Sequence, residues 1–239
     1  MITIEQRQTV VNFLKGNNLP LDLLVEIEDH MCEQIDDKMY FEDLSFDEAF
    51  KQTLLLWKEE LNLKMRFFER EKRTKIHRKI INATQKKIYL KALKYFAIPF
   101  VLSFFLLFVN KNYAANFLLL MHIALFVSGL FALVTNFRMF AGSNSYNKRR
   151  ISYLQNGMQL LSISLFLIPV LVFVNFDERF ERFYNSFLFL FENDHFTLDF
   201  FFSFLVYYGY SYCAMVGLLY FIEYRKTIKI LQKKIYLKL

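Results

Sequence analysis

Residues 86–109 read KKIYLKALKYFAIPFVLSFFLLFV, and this passage decides the fold. Four lysines in its first nine residues give way to fifteen residues without a charge, YFAIPFVLSFFLLFV at 95–109. A basic collar running straight into an apolar run is the mark of a helix entering a membrane. Three further runs share that character: 117–135, 158–174 and 198–222, alongside the first at 92–109. Each has the roughly 17–25 residues a helix needs to cross the hydrocarbon layer. The only charges in them are Lys94 and Asp199, close to their ends.

Composition agrees. Of 239 residues, 55% are hydrophobic, with 30 Phe and 14 Tyr but only 6 Gly and 3 Pro. So few turn formers exclude a β-sandwich or barrel. The expected fold is all-α: a polytopic membrane protein with four transmembrane helices behind an N-terminal three-helix cytoplasmic domain.

Charge divides the chain further. Residues 1–63 hold 14 acids against 5 bases, and residues 64–94 hold 12 bases against 2 acids. The expected organisation is an acidic helical domain (1–63), a basic helical stalk (64–91), a four-helix bundle (92–222) and a basic tail (223–239). The neck, the loop before the third span and the tail are all basic, whereas the segment between spans three and four is acidic. The positive-inside rule therefore places both termini in the cytoplasm. Lys86, Lys87, Lys148, Arg149 and Arg150 are the expected contacts to anionic lipid, and beside an apolar span this reading displaces nucleic acid. No segment at the N-terminus reads as a secretory signal.

Between spans three and four, Phe176, Phe180, Phe183, Phe187 and Leu190 recur at spacings of 4, 3, 4 and 3. This is one face of a helix over about 176–191, expected to lie along the outer membrane interface or to offer a docking surface there.

In the N-terminal region, Thr3–Gln6 and Ser45–Glu48 read as capping boxes, and Pro20 opens a helix to about Phe41. Phe46, Phe50, Leu54, Trp57, Leu61, Met65 and Phe68 continue at helical spacing, with no Gly or Pro between Ser45 and Pro99. This predicts a third helix running on through the neck into the first span, a stalk ~80 Å long, with Asn82 as the place for a kink.

Chemistry is sparse. The stretch IEDHMCEQIDD (27–37) collects a His, a Cys and five acids. At 100° per residue His30 and Cys32 fall on opposite edges of the buried stripe, so they cannot hold one ion together. Glu26, His30 and Asp37 share a flank, while Asp29, Glu33 and Asp36 point outward as a surface for a protein partner. Cys32 and Cys213 fall in different environments, and no disulfide is expected. No P-loop, G-x-G-x-x-G, G-x-S-x-G or H-E-x-x-H is present. The four histidines are scattered, so neither enzyme activity nor a cofactor or metal is expected.

Leu19-Pro20 with Leu24, Ile27 and Asp29-His30, then Ile35-Asp36-Asp37, Leu44 to Phe50 and Trp57 to Leu61, resemble HAAS-type domains, the helix-turn-helix-associated α-helical signalling domains of bacterial membrane proteins. The resemblance implies a three-helix cytoplasmic module that couples a membrane segment to a regulator, often a PadR-like transcription factor. Members commonly carry Gly before the Ser, where this chain has Leu44.

The fourth span is the other feature. Tyr207, Tyr208, Tyr210 and Tyr212 cluster near its midpoint, where their hydroxyls need partners. Gly209, Cys213 and Gly217 form a face of small residues that permits close helix approach. His122, Ser162 and Ser164 are the candidate hydroxyl partners. The face is expected to serve packing within the bundle, a homo-oligomer or a partner helix, with a ligand pocket as the further alternative. The expected function is signalling, regulation or scaffolding through the head. The alternative is a structural subunit of a membrane complex, and the lack of mid-membrane charge argues against a transporter.

Overall fold

A computed structural model describes residues 2–65, 72–137, 150–193 and 197–235. The order is α1 (Ile4–Lys15), α2 (Leu21–Phe41), α3 (Phe46–Trp57), β1 (Leu63–Lys64), β2 (Arg73–Thr74), α4 (Lys75–Val109) and α5 (Lys111–Thr135). Then come α6 (Gln155–Ile168), a π-helical turn (Pro169–Phe173), α7 (Phe176–Asn193), α8 (Leu198–Phe204), a second π-helical turn (Leu205–Gly209) and α9 (Tyr210–Ile235).

The chain forms two compact units. The first joins the N-terminal residues through Gln85 to residues 150–153 and 227–235; the second comprises 86–137 and the described residues from Leu154 to Lys226. All three regions that charge assigned to one side of the membrane thus contribute to the first unit.

In the first unit, both capping boxes form: Thr3 Oγ1 accepts from Gln6 N, and Ser45 Oγ accepts from Glu48 N. The Ser45 side chain and backbone hold the Glu48 carboxyl below its ordinary pKa. Pro20 precedes α2 but offers its first turn no side-chain cap. The carbonyls of Arg150 and Ile151 fill that role, accepting from Leu21 N at 2.9 Å and Asp22 N at 3.1 Å. Val10, Leu14, Leu24, Ile27, Met31 and Ile35 pack with Ala49 and Leu61 in a common core.

The expected continuous stalk is interrupted. α3 ends at Trp57, and a short antiparallel pairing of Leu63 with Thr74 and Lys64 with Arg73 precedes α4. Tertiary burial overrides helix propensity here. Leu61 is buried in the head core with Ile76 packed against it, and Ile76 N donates to Glu60 O, so the chain must turn back. From Lys75 onward the helix runs without a break past Asn82 and through Pro99.

The second unit holds the apolar helices. Four helices have the length and composition to cross a membrane, within 75–109, 111–135, 155–173 and 198–234. The chain is thus a predominantly helical protein with the elements of a polytopic membrane protein. Large apolar side chains on them point outward, among them Ile98, Phe131 and Phe166 at 75%, 69% and 80% exposure. Such a surface suits lipid and would be untenable in water.

The α7 helix forms where periodicity placed it, but its aromatic face has another role than the interfacial one expected. Phe176, Phe180, Phe183 and Phe187 are buried in the core of this unit. Phe187 meets Phe104 and Phe108 of α4 edge to face, with ring centroids 5.5 and 5.0 Å apart. That face is neither laid on lipid nor open to a docking partner.

Candidate functional site

Two groups of polar residues stand out, one in each unit. In the second, α8 passes into α9 through the π turn at 205–209, whose wider winding frees a backbone carbonyl from the regular ladder. The Tyr207 carbonyl accepts from Ser211 Oγ at 2.7 Å and lies 3.0 Å from His122 Nε2. His122 Nδ1 is 2.7 Å from Leu118 O, and its Nε2 is 2.9 Å from Ser211 Oγ. A neutral imidazole has one N–H, so His122 donates to one carbonyl while the Ser211 hydroxyl serves the other side of the cluster. Both side chains are fully buried. The first π turn, at 169–173, packs against the second.

The tyrosines divide. Tyr207 and Tyr208 are buried, Tyr210 and Tyr212 partly exposed. Ser103 Oγ donates to the Tyr208 hydroxyl at 3.1 Å, and Tyr212 donates to the Tyr89 carbonyl at 3.2 Å. The Tyr207 hydroxyl has no hydrogen-bond partner among the described residues. Its ring sits among Phe176, Phe180 and Phe183. Ser103 and the Tyr89 carbonyl are thus the hydroxyl partners found in place of Ser162 and Ser164, while His122 meets the Tyr207 backbone carbonyl and not a tyrosine hydroxyl. The small-residue face also divides. Gly217 is pressed against the Leu160–Leu161 backbone, whereas a Cβ at Gly209 would meet only Leu205 of its own π turn, and Cys213 is exposed.

In the first unit, the acidic surface expected to meet a partner is partly engaged within the chain. Arg7 donates through Nε to Glu28 and through Nη2 to Asp29, both at 2.6 Å, and Lys234 of α9 also binds Asp29. Burial opposes the Asp29 charge, but Lys234 and Arg7 prevail and hold its carboxyl below the usual range. The Glu28 carboxylate bond likewise raises Arg7. Glu28, which the pattern did not single out, is buried. Glu33 is exposed, Asp36 half-buried, and Cys32 lies in the core with its thiol pushed up by burial. Exposed His30 stands 3.8 Å from Glu33 and lines a cleft together with Glu26.

Asp22, next to the Arg150–Ile151 clamp, is the most perturbed carboxyl here: burial raises it to about 6 despite hydrogen bonds from Ser152, Leu23 and Tyr153. Its Oδ2 is sealed from solvent without a hydrogen-bond partner. No set of three His, Cys, Asp or Glu residues among the described ones converges to hold a metal ion. Of the expected lipid contacts, Lys86, Lys87 and Arg150 are exposed; Lys148 and Arg149 lie outside the described residues.

No protein-family model, curated protein or solved structure matches this chain.

Proposed function

We propose that the protein is a multi-pass protein of a bacterial inner membrane, with both termini in the cytoplasm, that acts without catalysis through protein contacts of its helical head. Signalling, regulation or scaffolding are the forms such action takes. One observation carries the proposal: Tyr40, Phe41, Leu55 and Leu56, on α2 and α3 outside the apolar spans, are 64% to 81% exposed. Uncovered large apolar side chains beside a complete core suit a partner surface. Exposed Glu33 adds charge to the same helix, and complementary charge contributes specificity more than affinity. The resemblance of residues 19–61 to HAAS-type domains favours the same reading. The joining of the N-terminal helices, residues 150–153 and the end of α9 in one unit supports a common side for all three.

A photo-crosslinking residue in place of Leu55, in the full chain within its native membrane, tests this. The expected result is one dominant protein adduct, lost when Leu56→Glu is added. Adducts to lipid alone, or a protein adduct indifferent to Leu56→Glu, would refute it. The full chain is essential because residues 1–63 alone lack parts of their own unit.

The exposure of Cys213 beside open Gly209 favours a second reading, in which the last span meets a second copy or another membrane subunit. Oxidative trapping of a Cys213–Cys213 dimer in membranes tests it, and a monomer under those conditions counts against it.

A further inference from the structure

Within the first unit, the end of α3 and the start of α4 flank a groove of about 560 Å³. Leu56, Trp57, Ile76 and Ile80 give it an apolar lining, and Gln34, Glu60 and Lys79 bring polar atoms to it. Trp57 Nε1 donates to Gln34 Oε1 at 2.8 Å, which fixes the indole, and Glu60 holds Lys75 at 3.0 Å. Lys79 is exposed and has no ion pair or hydrogen bond among the described residues. A single free charge beside an apolar floor is too little to orient a small molecule, whose sites bring several polar groups together. With Leu56 itself 65% exposed on the rim, the groove suits the surface of a protein.

Two features make this face its own complement. Leu56 on α3 forms an apolar ridge, and the groove beside it is a slot for such a ridge. Lys79 on α4 lacks an acid, while on α3 the Glu59 side chain is 87% exposed and only reaches Lys75 at 3.7 Å, a lysine that Glu60 holds more closely. A contact between identical copies needs one patch to carry both members of each pair. This patch carries ridge with slot and acid with base. Copies that cross one membrane share one orientation, so a two-fold axis between them runs along the membrane normal. Ridge and slot flank the same groove, so such an axis can bring each to the other.

Resting on the reading of Leu55 and Leu56 as a protein-contact surface, we propose that this face pairs two copies of the chain. Each copy places Leu56 in the groove of the other, over Ile76 and Ile80, and each Lys79 meets the partner's Glu59. The occupant of the exposed α3 end is then a second head.

Photo-crosslinking from position 55 of the full chain in its native membrane provides the test, read by the mass of the adduct and its mapped site. The expected adduct joins two identical chains, from α3 of one to residues 76–83 of the other. Lys79→Glu and Glu59→Lys, both at exposed positions, should each lower its yield about fivefold, because each change removes two symmetry-related ion pairs. The double variant should restore the yield. An adduct with a different protein would overturn the pairing and leave the proposed function standing, whereas adducts with lipid alone would overturn both. A self-adduct indifferent to the single reversals, or not restored by the double one, would also overturn the pairing, since contact through the last span would leave the yield unchanged.

Discussion

Gly217 lies so close to the Leu161 backbone that a Cβ built on it would fall 2.5 Å from Leu161 N and 2.7 Å from Leu161 Cα. Backbone cannot yield as a side-chain tip can, so even alanine forces α6 and α9 apart. Gly217→Ala should cost about 1–3 kcal/mol of stability, and Gly217→Leu should prevent correct assembly of the second unit. Gly209→Ala, which meets only Leu205, should be tolerated. Thermal unfolding in detergent distinguishes them, and equal behaviour of the two alanine variants would contradict the packing described.

Asp22 gives a pH dependence of defined sign. Its folded pKa, about 6, lies above the ordinary value because burial disfavours the charge. Its ionisation therefore costs stability: the Asp22 contribution is most favourable below about pH 4, weakens as pH rises through about 6, then levels. Asp22→Asn removes this cost while keeping an acceptor for Leu23 N. At pH 7–8 the variant should be more stable by about 2 kcal/mol, with the difference vanishing below pH 4. A constant difference across that range would sink the assignment.

Arg7 bridges Glu28 and Asp29, and the Glu28 side chain is only 11% exposed. Arg7→Ala leaves that carboxylate buried without its cation and should cost about 2–3 kcal/mol. Glu28→Gln, added to Arg7→Ala, should recover much of the loss because the remaining group is neutral. Additive losses in this double-mutant cycle would show that the pair is not coupled.

The π turn at 205–209 depends on partners for the Tyr207 carbonyl. Ser211→Ala and His122→Leu each remove a group beside it and should each cost about 1–2 kcal/mol, with a combined loss that departs from additivity because the two share one acceptor. Ser103→Ala, serving Tyr208 on a separate bond, should add independently to either. Chemical denaturation in mild detergent measures all three.

Much of this architecture was legible in residue order. Apolar runs of spanning length mark α4, α5, α6 and the α8–α9 helix, and the Thr3 and Ser45 boxes mark the starts of α1 and α3. The break after Trp57 was not legible, since Lys58 to Thr74 contains neither Gly nor Pro and the turn is imposed by burial of Leu61. The Phe stripe of α7 revealed a helix but not its environment, because a face packed on lipid and a face packed on Phe104 and Phe108 have the same periodicity. Pairings such as Asp29 with Lys234 or His122 with Ser211 join residues far apart in the chain. No local spacing encodes them. The tyrosine cluster was visible, but the backbone carbonyl that organises its polar neighbours exists only in the folded winding.

The composition of the first unit also bears on biosynthesis. The α1–α3 helices leave the ribosome long before the Arg150–Ile151 carbonyls that cap α2, and longer still before Lys234. During synthesis the N-terminal helices therefore wait with an uncapped first turn and with Asp29 held by Arg7 alone. Completion of the last helix is the event that closes the unit, so a chain stalled or truncated before residue 227 would carry a distinguishable, incompletely stabilised head. Protease sensitivity of α2 would thus act as a built-in readout of whether membrane insertion had run to its end.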